Sequence, residues 1–152
     1  MKTICFLLIA ITMVFLVPQA QGAEWVKIGS DKDGNEYFYD SETLTKLPIG
    51  IIKVTEKTEY SDEGRKNLKQ KMLSQGFPPE KDEAYKSVKS TSTLWEINCE
   101  TRERQLMMTN NYSAAMEMYE NAILTGKSVE KIVPDTMAEV LYKAICPPQE
   151  KK

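Results

Sequence analysis

Few residues of this chain have side chains suited to catalysis, metal binding or covalent cross-linking, and two cysteines are the most informative of them. Three cysteines occur, but Cys5 lies inside an apolar N-terminal run, which leaves Cys99 and Cys146. In an exported protein an even pair of cysteines indicates a disulfide, here with a sequence separation of 47. Metal-binding or redox thiols are the alternative, although such thiols usually lie close together with further Cys or His nearby.

Catalytic groups are scarce. The chain has no histidine, which removes the commonest metal ligand and the usual general base near neutral pH. Among its 22 acidic residues some carboxylates must lie close together by chance, and no motif marks one pair as catalytic. The sequence therefore predicts neither enzymatic activity nor a cofactor, and an enzyme that works without histidine ranks third among the functions considered.

The segment from Asp31 to Glu42 has acidic and amide residues at spacings found in calcium-binding loops. Such a loop needs glycine at its sixth position, where this chain has Glu36, and Gly34 comes two places early. The aromatic residues 37–39 favour a strand. The sequence thus predicts an ordinary hairpin turn that binds no calcium.

A predicted helix over residues 61–75 carries the strongest candidate for a partner-binding surface. Its cations are Arg65, Lys66, Lys69 and Lys71, which we call the helix cations. They could contact an acidic protein segment or an anionic glycan, and salt would weaken that contact. A solvated helix face explains the same residues without any partner.

The first 22 residues determine the compartment. Lys2 precedes an apolar run from Ile4 to Val17, and small residues at Ala20 and Gly22 follow. This pattern predicts a secretory signal peptide over residues 1–22 rather than a membrane anchor, because the run is shorter than the roughly 20 residues that span a bilayer. A lipid-attachment cysteine at the end of the run is missing, so no membrane anchor is expected.

Removing residues 1–22 leaves 130 residues (152 − 22), which suffices for one domain with a real core. Lys2 is the only charged residue removed, so the net charge changes from −2 to −3. This mild acidity, with both signs interspersed, excludes nucleic acid as an expected partner.

Periodicity and turn residues predict the elements that position these groups. Strands are expected over residues 25–29, 37–39, 51–58, 91–99 and 103–109, and helices over 61–75 and from Pro134-Asp135 to Cys146. Residues 46–50 are expected to form a loop, and 113–124 suit either helix or strand. One face of the strand 91–99 would place Trp95 and Cys99 in the core.

This order predicts an α+β fold with two main helices packed on an antiparallel β-sheet and one disulfide. A single domain is expected over residues 23–147, followed by a loose tail at 148–152.

Several short motifs carry a family resemblance. They are Trp25 at the start, residues 36–40 after a Gly-Asn turn, residues 95–99, Arg102 and Arg104, and residues 132–134 leading into 140–146. From Trp25 to Cys146 the chain resembles the bacterial surface-adhesin E family.

The resemblance implies a small antiparallel sheet with helices, an envelope location and a disulfide between Cys99 and Cys146. The namesake of the family binds host extracellular-matrix proteins such as vitronectin and laminin. The leading function is therefore an exported, non-catalytic binding module, periplasmic or at the cell surface, whose partner is an extracellular-matrix protein or another envelope macromolecule. The alternative is a periplasmic structural or accessory domain that binds another envelope protein.

Overall fold

One antiparallel β-sheet of eight strands forms the centre of the fold. The computed structural model describes residues 22–74, 87–113, 118–123 and 129–148. Its strands are β1 Trp25–Ser30, β2 Glu36–Asp40, β3 Thr45–Lys46, β4 Ile51–Glu59, β5 Ser90–Asn98, β6 Glu103–Tyr112, β7 Met118–Ile123 and β8 Val129–Lys131. The helices are α1 Asp62–Ser74, between β4 and β5, and α2 Met137–Ile145 after β8.

The strands lie in the order β1-β2-β4-β5-β6-β7, with β3 added beside β4 and β8 beside β6. The three central strands are the longest and are paired over most of their length. Ile52 lies opposite Ile97, and Val54 opposite Trp95. A β-bulge between Leu94 and Trp95 shifts the register of β5 against β6.

The core lies on one face of this sheet, under α2. Every second residue of β4 is buried from Ile52 to Glu56, as expected for a strand with one covered face. Ile97 of β5 and Leu141 of α2 are fully buried in the same cluster. Trp95, which the sequence places in the core, is half-buried and packs against the edge of the cluster.

The disulfide between Cys99 and Cys146 joins the end of β5 to the end of α2, with the two Cα atoms 5.7 Å apart. The Tyr142 hydroxyl donates a buried hydrogen bond of 2.8 Å to the Cys99 carbonyl. Arg102 forms an ion pair of 2.9 Å with Glu139. These contacts fix α2 on the sheet, and the predicted fold class and disulfide are both confirmed.

Helix α1 is attached to the turn between β1 and β2. The Ser61 hydroxyl accepts a hydrogen bond from the Gly64 amide at 2.9 Å and so caps the helix, as the sequence predicts. The buried Asn35 side chain accepts from the Ser61 amide at 3.1 Å. A Cβ on Gly64 would lie 1.7 Å from Asn35 Oδ1, so this close approach requires glycine.

The observed elements differ from the predicted ones in three places. Helix α2 begins at Met137 with Thr136 as its N-cap, after the predicted start at Pro134. The short strands β3 and β8 were not expected, because two or three exposed residues show no alternation. Within the ambiguous segment 113–124, residues 118–123 form strand β7 against β6.

Some predictions concern residues outside the described ones. They include residues 1–21 of the predicted signal peptide, the predicted helix end at residues 75–76, and residues 149–152 of the tail. Among the described residues, no helix combines the length and apolar character needed to cross a membrane.

Candidate functional site

A polar groove of about 590 Å³ lies on the core face of the sheet, beside the N-terminal end of α2. We call it the sheet groove, and its volume falls within the roughly 300–1,000 Å³ of small-molecule sites. It is lined by Tyr37, Glu56, Thr58, Tyr60, Lys71, Thr91, Thr93, Trp95, Arg104, Thr109, Glu130, Lys131, Val133, Thr136, Met137 and Ala138. Both helices and the three central strands therefore contribute to it.

Threonines form the floor of the groove. Thr58 of β4 lies opposite Thr91 of β5, and Thr93 lies opposite Thr109 of β6. The hydroxyls of Thr93 and Thr109 are hydrogen-bonded at 2.9 Å, and Thr91 donates to Asn111 Oδ1 at 2.8 Å. Because a hydroxyl donates one bond and accepts two, this floor retains capacity to bind polar groups.

Glu56 lies at the base of the groove with only 7% of its surface exposed. Its Oε2 accepts a hydrogen bond from Trp95 Nε1 at 2.7 Å. Within the part of the chain that the structure describes, its Oε1 receives no hydrogen bond. Burial raises the pKa of Glu56, and the bond from Trp95 and the charge of Arg104 offset part of that rise.

Two tyrosines line the groove next to the β1–β2 turn. The Tyr37 hydroxyl donates to Asp31 Oδ2 at 2.9 Å. Burial raises the pKa of both Tyr37 and Tyr60, and for Tyr37 the bond to Asp31 raises it further. Both phenols therefore stay protonated at neutral pH and can donate and accept hydrogen bonds.

The Asp31 carboxylate organises the turn itself. It accepts hydrogen bonds from the amides of Asp33 and Asn35, each at 3.0 Å, and from Asn35 Nδ2 at 2.9 Å. Burial alone would raise the pKa of Asp31, but these bonds outweigh burial and lower it. The predicted hairpin turn is present, while the absence of calcium binding stays a prediction.

Cations lie at the edge of the groove. The Arg104 guanidinium stacks 4.2 Å from the centre of the Trp95 ring, and its Nε donates to Glu130. Lys71 and Lys131 also line the groove. The groove thus combines two carboxylates with three cations, so its charges largely offset one another.

A family model for surface-adhesin protein E matches residues 25–147. The chain belongs to this family. No curated protein matches it.

The solved structures similar to this adhesin E-family chain include those of Haemophilus influenzae protein E. Crystal form II has a TM-score of 0.50 and 14% identity, with 85% of this chain and 91% of that chain covered. A selenomethionine form has a TM-score of 0.49 and 15% identity, with 85% and 90% covered. At such identities the likeness of crystal form II shows the fold alone.

The helix cations of this adhesin E-family member do not share one surface. Arg65, Lys66 and Lys69 line one shallow depression together with Asp62, whereas Lys71 lines the sheet groove. The reason is helical geometry, since two residues at about 100° each place Lys71 on the other side of the helix from Lys69.

Two of the helix cations are paired within α1. Arg65 forms an ion pair with Asp62 and donates to the Tyr60 carbonyl at 3.1 Å. Lys66 lies 3.0 Å from Glu63. These acidic neighbours reduce the local positive charge, and partner binding by this surface stays a prediction.

Sequence reasoning missed Glu56, which is the central residue of the sheet groove. The available signal was its position in β4, where Ile52, Val54 and Glu56 occupy successive buried positions of the alternation. A carboxylate at a core-facing position indicates a buried polar function. In the described residues no group of three or more Cys, Asp or Glu could hold a metal ion.

Proposed function

We propose that this chain is an exported, non-catalytic binding module that attaches to a macromolecule of the host matrix or of the bacterial envelope. The observation that carries the proposal is the match of the surface-adhesin E family model to residues 25–147. That range spans every strand and helix from β1 to α2. The whole domain, rather than a fragment of it, therefore has the character of this family.

Export is supported by two features that belong to different parts of the chain. The apolar run from Ile4 to Val17 precedes small residues before Ala23, two positions ahead of β1. The bond between Cys99 and Cys146 is of the kind that persists in oxidising compartments outside the cytoplasm. We propose a domain over residues 23–147 that acts in the periplasm or at the cell surface.

The sheet groove is the site that we propose for the partner. Three of its ionisable groups serve structural contacts, as Glu56 accepts from Trp95 and Arg104 pairs with Glu130. A nucleophile beside a base would indicate covalent catalysis, and the chain has no histidine to act as that base. The arrangement suits hydrogen bonding to a partner better than bond cleavage.

A second contact by the helix cations is supported by the depression that Arg65, Lys66 and Lys69 line next to α1. These residues concentrate positive charge on a chain whose net charge is −2. An acidic segment of an extracellular-matrix protein, or of another envelope protein, would be attracted to them. Such an attraction weakens as salt rises, because exposed charges are screened over roughly 8–10 Å.

Cell fractionation and binding to immobilised matrix proteins test this function. We expect the mature protein in the periplasm or at the surface, and saturable binding to a purified matrix protein such as vitronectin or laminin, or to an envelope protein cross-linked to it in cells. A purely cytoplasmic location would contradict export. Absence of any such partner would contradict the binding function.

A matched pair of variants tests the helix cations. Changing Arg65, Lys66 and Lys69 to Gln is expected to weaken binding roughly tenfold, if each charge contributes about 0.5 kcal/mol. The control changes Lys32, Lys46 and Lys89 to Gln, which removes the same charge from exposed positions elsewhere. Equal losses in both variants would indicate a general charge effect without a specific surface.

A further inference from the structure

We infer that the sheet groove binds a neutral, hydroxyl-rich ligand, namely a short oligosaccharide. This inference rests on the proposed function, because it names the chemistry that the partner presents to the groove. The groove has four features that suit such a ligand: the hydroxyl floor, the largely buried carboxylate, the apolar side and the balance of charge.

The floor matches the hydrogen-bonding character of a sugar. A sugar hydroxyl both donates and accepts, and so do the hydroxyls of Thr93 and Thr109, while the Tyr37 hydroxyl, which donates to Asp31, can accept. The Thr93 and Thr109 hydroxyls already bond to each other at 2.9 Å, which holds them in fixed positions. Together these hydroxyls present a polar surface to which several hydroxyls of one ligand can bond.

Glu56 provides the strongest single acceptor. Its Oε2 is held by Trp95 Nε1 at 2.7 Å, which fixes the orientation of the carboxyl group. Its Oε1 receives no hydrogen bond from the described residues, although the residue is 93% buried, with 7% exposed. Oε1 itself remains accessible to solvent, so a ligand hydroxyl that donates to it would replace a hydrogen bond from water within largely buried surroundings.

One side of the groove is apolar. Val133, Met137 and Ala138 line it, and Val133 is 58% exposed. A sugar ring presents C–H groups on its faces and hydroxyls around its edge. Its edge can therefore bond to the threonine floor while one face packs on Val133 and Met137.

Charge balance and backbone pairing disfavour the main competitors. The two carboxylates and three cations of the groove largely offset one another, so neither a ligand carboxylate nor a ligand cation gains a strong net attraction. The backbones of β4, β5 and β6 are paired with each other in the described register, so no free strand edge is available for an extended peptide. Of these classes of ligand, the groove best suits a neutral one that contacts side chains only.

Titration with defined oligosaccharides, chosen from a glycan array, tests the inference on the full mature chain. The chain has two tryptophans, and Trp25 lies on the opposite face, 4.7 Å from the Lys57 ammonium. The variant Trp25→Phe therefore leaves Trp95 as the sole tryptophan, inside the groove, and excitation at wavelengths that tyrosine does not absorb reports on Trp95 alone. We expect saturable quenching or enhancement of that fluorescence by a neutral oligosaccharide.

Two variants and a control locate the site. Glu56→Gln keeps the shape of the side chain and is expected to weaken binding at least tenfold, and Thr93→Val about threefold to tenfold. Thr55→Val is the control, since Thr55 is the same residue type on the opposite face of β4. Thermal melting of each variant verifies that the fold is retained.

The outcomes separate this inference from the proposed function. If binding to a matrix or envelope protein depends on Glu56 but survives enzymatic removal of glycans, the groove binds a protein segment. That result would overturn the inference of an oligosaccharide ligand. Selective binding of acidic glycans, or no binding of any glycan, would overturn it as well, while leaving an exported binding module intact. Cleavage of a bound oligosaccharide would instead contradict the non-catalytic role.

Discussion

The two ends of one sheet face differ in what covers them. At the first end, Ile52 and Val54 are buried under α2 beside Ile97. At the other end, the same strands continue with Glu56 and Thr93 in the sheet groove. Helix α2 has nine residues and is about 14 Å long, whereas β4 has nine residues and extends about 30 Å. One short helix covers only part of that face, and the residues become polar where its cover ends.

Each end of the face contains a buried carboxylate, and the two carboxylates differ in their hydrogen-bond donors and in the direction of their pKa shift. Glu139 on α2 accepts hydrogen bonds from the Asp135 amide and from Arg102, with Lys143 3.1 Å away, and these lower its pKa to about 2. Glu56 is buried with one bond from Trp95, and burial raises its pKa. At the covered end, protein hydrogen-bond donors stabilise the charged carboxylate of Glu139. In the groove, the carboxylate of Glu56 can still accept a hydrogen bond from a ligand.

The largest effect is expected from breaking the disulfide at the covered end. Changing both Cys99 and Cys146 to Ser removes a cross-link with a sequence separation of 47. The chain-entropy model assigns about 4 kcal/mol to such a loop, which corresponds to a fall in melting temperature on the order of 10 °C. Thermal unfolding of the oxidised protein and the double variant measures it. An unchanged melting temperature would show that α2 is held by packing alone.

The next prediction compares the cost in stability of one substitution at each end of the sheet face. Leu141→Ala removes a fully buried side chain and is expected to cost about 2–5 kcal/mol in the free energy of unfolding. Thr93→Val in the groove loses one hydroxyl pair and is expected to cost less than about 1 kcal/mol. Denaturant unfolding gives both values. Similar costs would mean that the groove is as important to stability as the core.

The smallest effects concern pH and have opposite signs at the two ends. Since the folded pKa of Glu139 is about 2, below its ordinary 4.5, its stabilisation is full above about pH 4.5 and is lost as pH falls towards 2. Since burial raises the pKa of Glu56, its ionised form destabilises the fold at neutral pH, and acid relieves that cost. Glu139→Gln should thus lower the melting temperature at pH 7, and Glu56→Gln should raise it.

Melting curves collected between about pH 3 and pH 7 test these opposite shifts in melting temperature. They compare both variants with the unchanged protein. Each variant should approach the unchanged protein as the pH falls. If both variants shift the melting temperature in the same direction at pH 7, the contrast between the two carboxylates is wrong.

The sequence predicts the covered end well. Its strands alternate, the apolar residues of the last helix recur at helical spacing, and only one cysteine pair follows the predicted signal peptide. The start of α2 could have been placed more closely, since Thr136 and Glu139 have the spacing of a capping box. Pro134 was the more visible signal, but it lies in the turn before the cap.

The groove could not be predicted in the same way. Glu56 and Trp95 are 39 positions apart, and only the register of β4 against β5 brings them together. Lys71 joins them from α1, although the sequence grouped it with Lys69 by charge. Local patterns show on which face of its strand a residue lies. A site built from five strands and two helices depends on strand pairings that no single segment contains.

The order of the strands in the sheet has a consequence for how quickly the molecule folds. Every neighbouring pair along β1-β2-β4-β5-β6-β7 follows the direction of the chain, apart from the two-residue β3. Helix α2 contacts the sheet through residues that are far apart in the sequence, such as Tyr142 and Cys99, which are separated by 43 positions. Since nearby segments associate faster than distant ones, the strands should assemble before α2 arrives. Leu141→Ala is then expected to accelerate unfolding more than it slows refolding, because the contacts of α2 form after the rate-limiting step.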